Sequence, residues 1–230
     1  DSQEQSADAS GGGGGEEQSD PKAGISISGA VTVNLLRGSA TAGIHHAGTV
    51  SADAITIKAE DPTLLVSVAG ALSYSKGQGE GTAVGVAGSF AWNDVSSGTS
   101  AIVKDAQSIL TPGSLMIDSS RSGDVVAIAA GAGIAGGEKG VGVAGSVAVN
   151  RLTYTAEAVV DGVTTLTLGG DSHVQAKDNS SLVAVAGSAA YGGKAAVGIS
   201  FACGSTRGVT SEKSAAYLPI SGIGATVNWE

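Results

Sequence analysis

The sequence predicts an all-β chain folded as a parallel β-solenoid (β-helix) built from repeats of about 57 residues. Three observations carry this. First, ISISGAVTVN (25–34) returns as VGVAGSFAWN (84–93) and VGVAGSVAVN (141–150), so that Asn34, Asn93 and Asn150 stand 59 and 57 residues apart, and a degraded copy begins at Val197. Second, LLVSVAGA (64–71), VVAIAAGA (125–132) and SLVAVAGSA (181–189) bring Val66, Val126 and Val183 into line, with Ile57, Ile117 and Val174 as a third series; both have steps of 60 and 57. A fixed period of this length marks a repeat architecture. Third, hydrophobic residues make up 42% of the chain but aromatics only 3%, beside 37 glycines. Small and β-branched side chains must therefore build a narrow interior where sheets approach closely.

In chain order, residues 1–22 read as an acidic, Gly/Ser-rich flexible tail or linker, because GGGGG beside EEQSD gives high chain entropy and nothing to bury. The solenoid domain then runs over 23–230, with units at about 23–81, 82–139 and 140–195 and a partial unit at 196–230. Each unit opens with an Asn-ended strand. Apolar residues alternate there (Val141, Val143, Val147, Val149) and are β-branched, which favours strand. Glycines at 88, 145 and 187 would each cost a helix ~1 kcal/mol. A polar stretch and short strands such as AIVKD (101–105) and SLMID (114–118) come next, then the VAVAG-type strand. Glycine-rich turns (KGQGEG, GGEKG, YGGKA) close the units.

A repeat this long exceeds one coil of a common solenoid, so three coils of ~19 residues per unit are expected, with two larger coils as the alternative. The recurrent asparagines are expected at solvent-facing turns where strands end. Asp61, Asp105, Asp161 and Asp178 recur at repeat spacing and read as turn residues, or as a weak Ca²⁺ site.

Charge and composition exclude several classes. The net charge is −9, of which residues 1–21 carry six acids and no base, and no basic stripe exists for a nucleic acid. The lone Cys203 excludes an intrachain disulfide and reads as buried in the run VGISFACG. The longest uncharged run, 214–229, contains Pro219 and falls short of the ~18 apolar residues of a spanning helix, so no membrane span is expected.

The strings VGVAGSVAVN (141–150), VDG (160–162), HVQAKD (173–178) and LVAVAGSAA (182–190), in that order, resemble the repeats of giant bacterial leukotoxin-like filamentous adhesins. The resemblance covers about residues 23–205. It implies an extracellular, cell-surface β-solenoid stalk with an adhesive or filament-forming role, and it supplies no binding residues.

Catalytic chemistry is hard to assemble from these residues. No GxSxG elbow or Walker loop is present, and acids that recur once per unit suit turns better than a single catalytic centre. His45 and His46 are adjacent and His173 is far along the repeat, so no metal site is expected. The connections 35–48 and 150–158 depart most from the repeat and are expected to be polar loops on one side, sharing a face with Asp94. They make Arg37, Arg151 and Tyr154 candidate ligand contacts, beside His45 and His46. Trp92 stands where sister strands carry Val33 and Val149 and reads as a core variant or a ligand-facing side chain.

The expected function is non-catalytic: a structural or adhesive segment of an extracellular bacterial surface protein or filament, with no cofactor. Its partner would be a host or neighbouring cell-surface protein or glycan, or another copy stacked end to end. The alternatives are a carbohydrate-active β-helix (lyase or hydrolase) and a self-assembling filament subunit.

Overall fold

The structure, a computed structural model, describes residues 23–77, 81–214 and 227–228. The expected tail over 1–22 and most of the closing stretch after 214 lie outside the described residues. Every regular element among the described residues is a strand, and every pairing is parallel. The fold is a parallel β-solenoid.

Its coil differs from the expected one. The first rung holds β1 (Gly24–His45), β2 (Thr49–Ser51), β3 (Ile55–Pro62) and β4 (Leu65–Lys76); the second holds β5 (Ala83–Lys104), β6 (Ser108–Thr111) and β7 (Leu115–Gly136). The third holds β8 (Val141–Asp161), β9 (Thr165–Leu168) and β10 (Ser172–Gly192), and the fourth begins with β11 (Ala195–Ser214) and includes β12 (Val227–Asn228). Asn34 pairs with Asn93 and Asn93 with Asn150, so one whole repeat makes one coil. Three coils per unit would need strands of a few residues, whereas β1, β5 and β7 are each 22 residues long.

The rungs build two long sheets, β1-β5-β8-β11 and β3/β4-β7-β10-β12, and a narrow third, β2-β6-β9. We call the first two the leading and trailing sheets, in the order the chain visits them. They lie face to face, joined at one end by the narrow sheet and at the other by the glycine-rich turns. With strands of 22 residues and four rungs, the body is a blade roughly 70 Å long and ~14 Å between its outermost rungs.

The interior is graded along the blade. Beside the narrow sheet the core is bulky: Ile55, Ile57, Val103, Ile109, Leu115, Ile117, Leu166 and Val174 are buried together. Midway, Val95, Val125 and Leu152 form a smaller cluster. Toward the turns only alanines remain, at 69, 91, 127, 129 and 148. At particular positions close to the turns even a methyl is too large. A β-carbon on Gly85 would collide with the Ile134 carbonyl oxygen, and one on Gly142 with that of Tyr191. The sheets therefore converge from a thick end to a thin end. At the thin end serine hydroxyls clip them together, Ser73 donating to the Ser26 carbonyl at 2.7 Å and Ser146 to the Gly187 carbonyl at 2.8 Å.

This reverses the usual sense of the alternating pattern. In VGVAGSFAWN the alanines and serines face inward, and Val84, Val86, Phe90 and Trp92 face outward. Asn93 and Asn150 sit in mid-strand and are fully buried, not at exposed turns. Asn34 donates to the Asn93 Oδ1 at 3.0 Å, and Asn93 to that of Asn150 at 2.9 Å. The Asn93 and Asn150 amides also reach across the interior to the carbonyls of Val126 and Val125. An inward amide column thus satisfies itself along the stack and straps one long sheet to the other. Cys203, expected inside, is exposed on β11 in register with outward-facing Val149.

Candidate functional site

Two polar constellations interrupt the repeat, one inside the blade and one outside. The inner one is an Asp–Arg–Asp column. Register sets Asp61, Arg121 and Asp178 above one another on three successive rungs of the trailing sheet. Arg121 is 1% exposed, so its charge must be answered locally. Its Nε lies 3.6 Å from the Asp61 carboxylate and its Nη1 3.4 Å from that of Asp178. Thr63 and Ser97 donate to Asp61, Ser180 donates to Asp178, and Arg121 donates to the Ser180 hydroxyl. These two aspartates are therefore strand residues paired to a buried cation, which corrects the expected turn role. Asp105 does lie in a turn, with φ of 55°.

Tyr154 belongs to this inner group. It lies within β8, in line with inward-facing Leu152 and Ala156, and packs against the cluster of Val95, Val125 and Leu152. The Arg121 guanidinium stands 5.8 Å from its ring centroid. Burial pushes the phenol above its ordinary pKa, and the neighbouring Asp178 carboxylate adds to the shift, so the ring keeps its proton and donates toward Asp178. Tyr154 is not the surface contact expected from the sequence.

The outer constellation lies on the leading sheet. Leu35, Asp94 and Arg151 are in register on rungs one to three, and Arg37 follows two positions after Leu35 on the same face. Arg37 donates to the Asp94 carboxylate at 2.9 Å, with its side chain about half exposed, and Arg151 is also exposed. Trp92 lies two residues before Asp94 and faces outward, stacked on Phe90 with ring centroids 6.1 Å apart. The segments 35–48 and 150–158, expected as polar loops, belong largely to strands β1 and β8. Their polarity marks where the outer face changes character while the strand continues. Arg37, Asp94, Arg151 and Trp92 thus share one surface, and Tyr154 lies beneath it.

The histidines do not converge. His45 ends β1, His46 follows in a turn with φ of 50° and reaches Asp105 at 3.5 Å, and His173 lies beside Gln175 on β10. Among the described residues no group of three or more His, Cys, Asp or Glu side chains is placed to hold a metal ion. The inward triad of Asp61, Arg121 and Asp178, with Arg121 buried between two partly buried carboxylates, was the element that sequence reading missed. Its signal was present as a basic residue between two acids at repeat spacing, in a segment otherwise lacking an Arg.

Compared with protein-family models, curated proteins and solved structures, the chain matches none.

Proposed function

We propose that this chain is a non-catalytic structural and adhesive segment of an extracellular surface protein or filament. The observation that carries the reading is the one-to-one match between repeat and rung. Each repeat closes a single coil and pairs with the next along strands of 20 to 22 residues, so a body of this kind lengthens by adding repeats without changing any contact inside a rung. The two long sheets supply stiffness. The mixed patch of Arg37, Asp94, Arg151 and Trp92 supplies charge beside an aromatic surface, the combination that suits a cell-surface protein or glycan. Its ionisable groups are spread along the outer face, whereas the inward triad is enclosed between the sheets.

The test is solid-phase capture. Beads coated with the chain should retain cells or cell-surface glycans, and the variant carrying Arg37→Ala, Arg151→Ala and Trp92→Ala should retain at least fivefold less while keeping its far-ultraviolet spectrum. New reducing ends on incubation with acidic or neutral polysaccharides would instead establish a carbohydrate-active enzyme and end the non-catalytic reading.

A further inference from the structure

The thin half of the blade is apolar on both outer faces, and the limits of the two apolar areas coincide. On the leading sheet five successive outward columns are apolar or glycine. They run from Ile25/Val84/Val141 to Val33/Trp92/Val149, with Gly29, Gly88 and Gly145 in the middle. On the trailing sheet five columns run from Val66/Val126/Val183 to Tyr74/Ile134/Tyr191. Many of these side chains are open to solvent: Ile25 and Ile27 at 69%, Val68 at 63%, Leu72 at 65% and Tyr191 at 65%. Surface of this extent, apolar and continuous over several rungs, marks an interaction site.

We infer that the thin half of the blade is built to enter the hydrocarbon layer of a lipid bilayer. Four features on the two faces favour lipid over a protein partner. First, each apolar band runs over eight residue steps, ~26 Å at strand rise, which matches the ~25 Å band of strand-built membrane proteins. Second, aromatic side chains stand at both limits: Tyr74 and Tyr191 next to the turns, Phe90 and Trp92 at the inner margin. Third, charge lies beyond each limit, with Leu35 and Leu64 carrying the apolar surface one column further on the first rung. Lys76, Glu138, Lys139 and Lys194 are exposed around the turns, while Arg37, Asp94, Arg151 and Asp124 lie past the inner margin. Fourth, a protein partner would cover one face with its own outline, whereas two opposite faces starting and stopping at common heights suit a slab of fixed thickness.

The backbone meets the requirement of that environment. Within the band the chain is strand throughout on rungs two and three, each hydrogen-bonded to rungs on both sides along the leading sheet. The interior is filled by Ala, Ser and Gly, with serine hydroxyls bonded to carbonyls across the gap. Insertion requires the outer edges of β1 and β11 on the leading sheet, and of β4 and β10 on the trailing sheet, to be paired as well, by a further rung or a second copy. No helix of the described residues is long and apolar enough to cross a membrane. The absence of a span expected from the sequence rested on that helical criterion, which does not register strands of ~9–11 alternating residues. The inference does not depend on the adhesive reading.

The experiment floats the full chain, refolded in the presence of dioleoylphosphatidylcholine vesicles, through a sucrose gradient. Most of the protein should rise with the vesicles and resist alkaline carbonate. Val68→Asp, Val86→Asp, Val143→Asp and Val185→Asp together should cut the floating fraction at least tenfold, whereas Thr41→Asp with Thr155→Asp, on the polar half, should leave it unchanged. Should the fourfold variant not fold, the Trp229→Phe chain keeps Trp92 as its sole tryptophan. Lipids brominated near the headgroup should then quench it more strongly than lipids brominated at the chain end. Protein that stays at the bottom with unquenched fluorescence overturns the inference. So does a lipid-free dimer that the Asp substitutions dissociate, since the faces would then belong to a second copy.

Discussion

The thick and thin ends of the blade are made by the same strands, yet they follow opposite packing rules. Near the narrow sheet, large apolar side chains point inward and mostly polar or charged ones outward: Val103, Ile109, Leu115 and Ile117 are buried, while the outer columns carry residues such as Lys104, Asp118 and Gln175. Near the turns the assignment is exchanged, with Gly, Ala and Ser inside and Val, Ile, Phe and Trp outside. The difference follows from spacing. Sheets held apart by a third wall leave a volume that only bulky side chains fill to native density. Sheets joined by a tight turn leave none. The sequence encodes the wedge by changing which of two alternating positions carries the larger side chain.

The sharpest way to break this arrangement is at the junction of the halves. Arg121→Met leaves Asp61 and Asp178 without their cation and should lower unfolding free energy by about 3–5 kcal/mol, read from urea denaturation. Replacing all three with apolar residues should recover most of that loss, because no buried charge then remains. A single substitution with an effect under about 1 kcal/mol would mean the carboxylates are satisfied without Arg121.

Next comes the thick end. Ile117→Ala removes buried methyl groups between sheets that the third wall holds apart, so a cavity persists and about 2–5 kcal/mol is lost. Ala129, its thin-end counterpart on the same strand, has little to remove. The third effect runs in the other direction. Gly142→Val inserts atoms where the carbonyls of Tyr191 and Gly133 already close the space, and should cost about 1–3 kcal/mol through displaced backbone. If Gly142→Val were neutral in thermal unfolding, the sheets would not converge as described.

Much of this was legible in the sequence, and the misreadings share one cause. The period, the strand identity and the parallel stacking follow from the aligned series ending in Asn34, Asn93 and Asn150. The coil length does not, because the outward apolar alternation stops well before the strands do. At Asn93 it is the outward column that changes, from Trp92 to Asp94, while the inward one continues through Val95 and the strand runs on to Lys104. Alternation reports two faces at once, and a single sequence does not say which faces solvent. The same ambiguity sent Tyr154 to the surface and Cys203 to the interior. Of the candidate contacts, Arg37, Arg151 and Trp92 were found as departures from the repeat. The buried role of Arg121 was hidden because burial of a charge depends on partners 57 and 60 residues away.

One consequence of the Asp61–Arg121–Asp178 column concerns assembly order. The rungs are near copies, so their apolar columns would accept one another in several sequences: VGVAGSFAWN and VGVAGSVAVN are almost interchangeable. The ionic column is not. Stacked first, second, third, it alternates negative, positive, negative. Exchange the second and third coils and two carboxylates become neighbours inside the blade, with the cation displaced to the flank. A chain that has threaded its coils in the wrong order therefore pays an electrostatic penalty at one interior position. The triad acts as an address label, letting a nearly periodic polypeptide tell one of its own turns from the next.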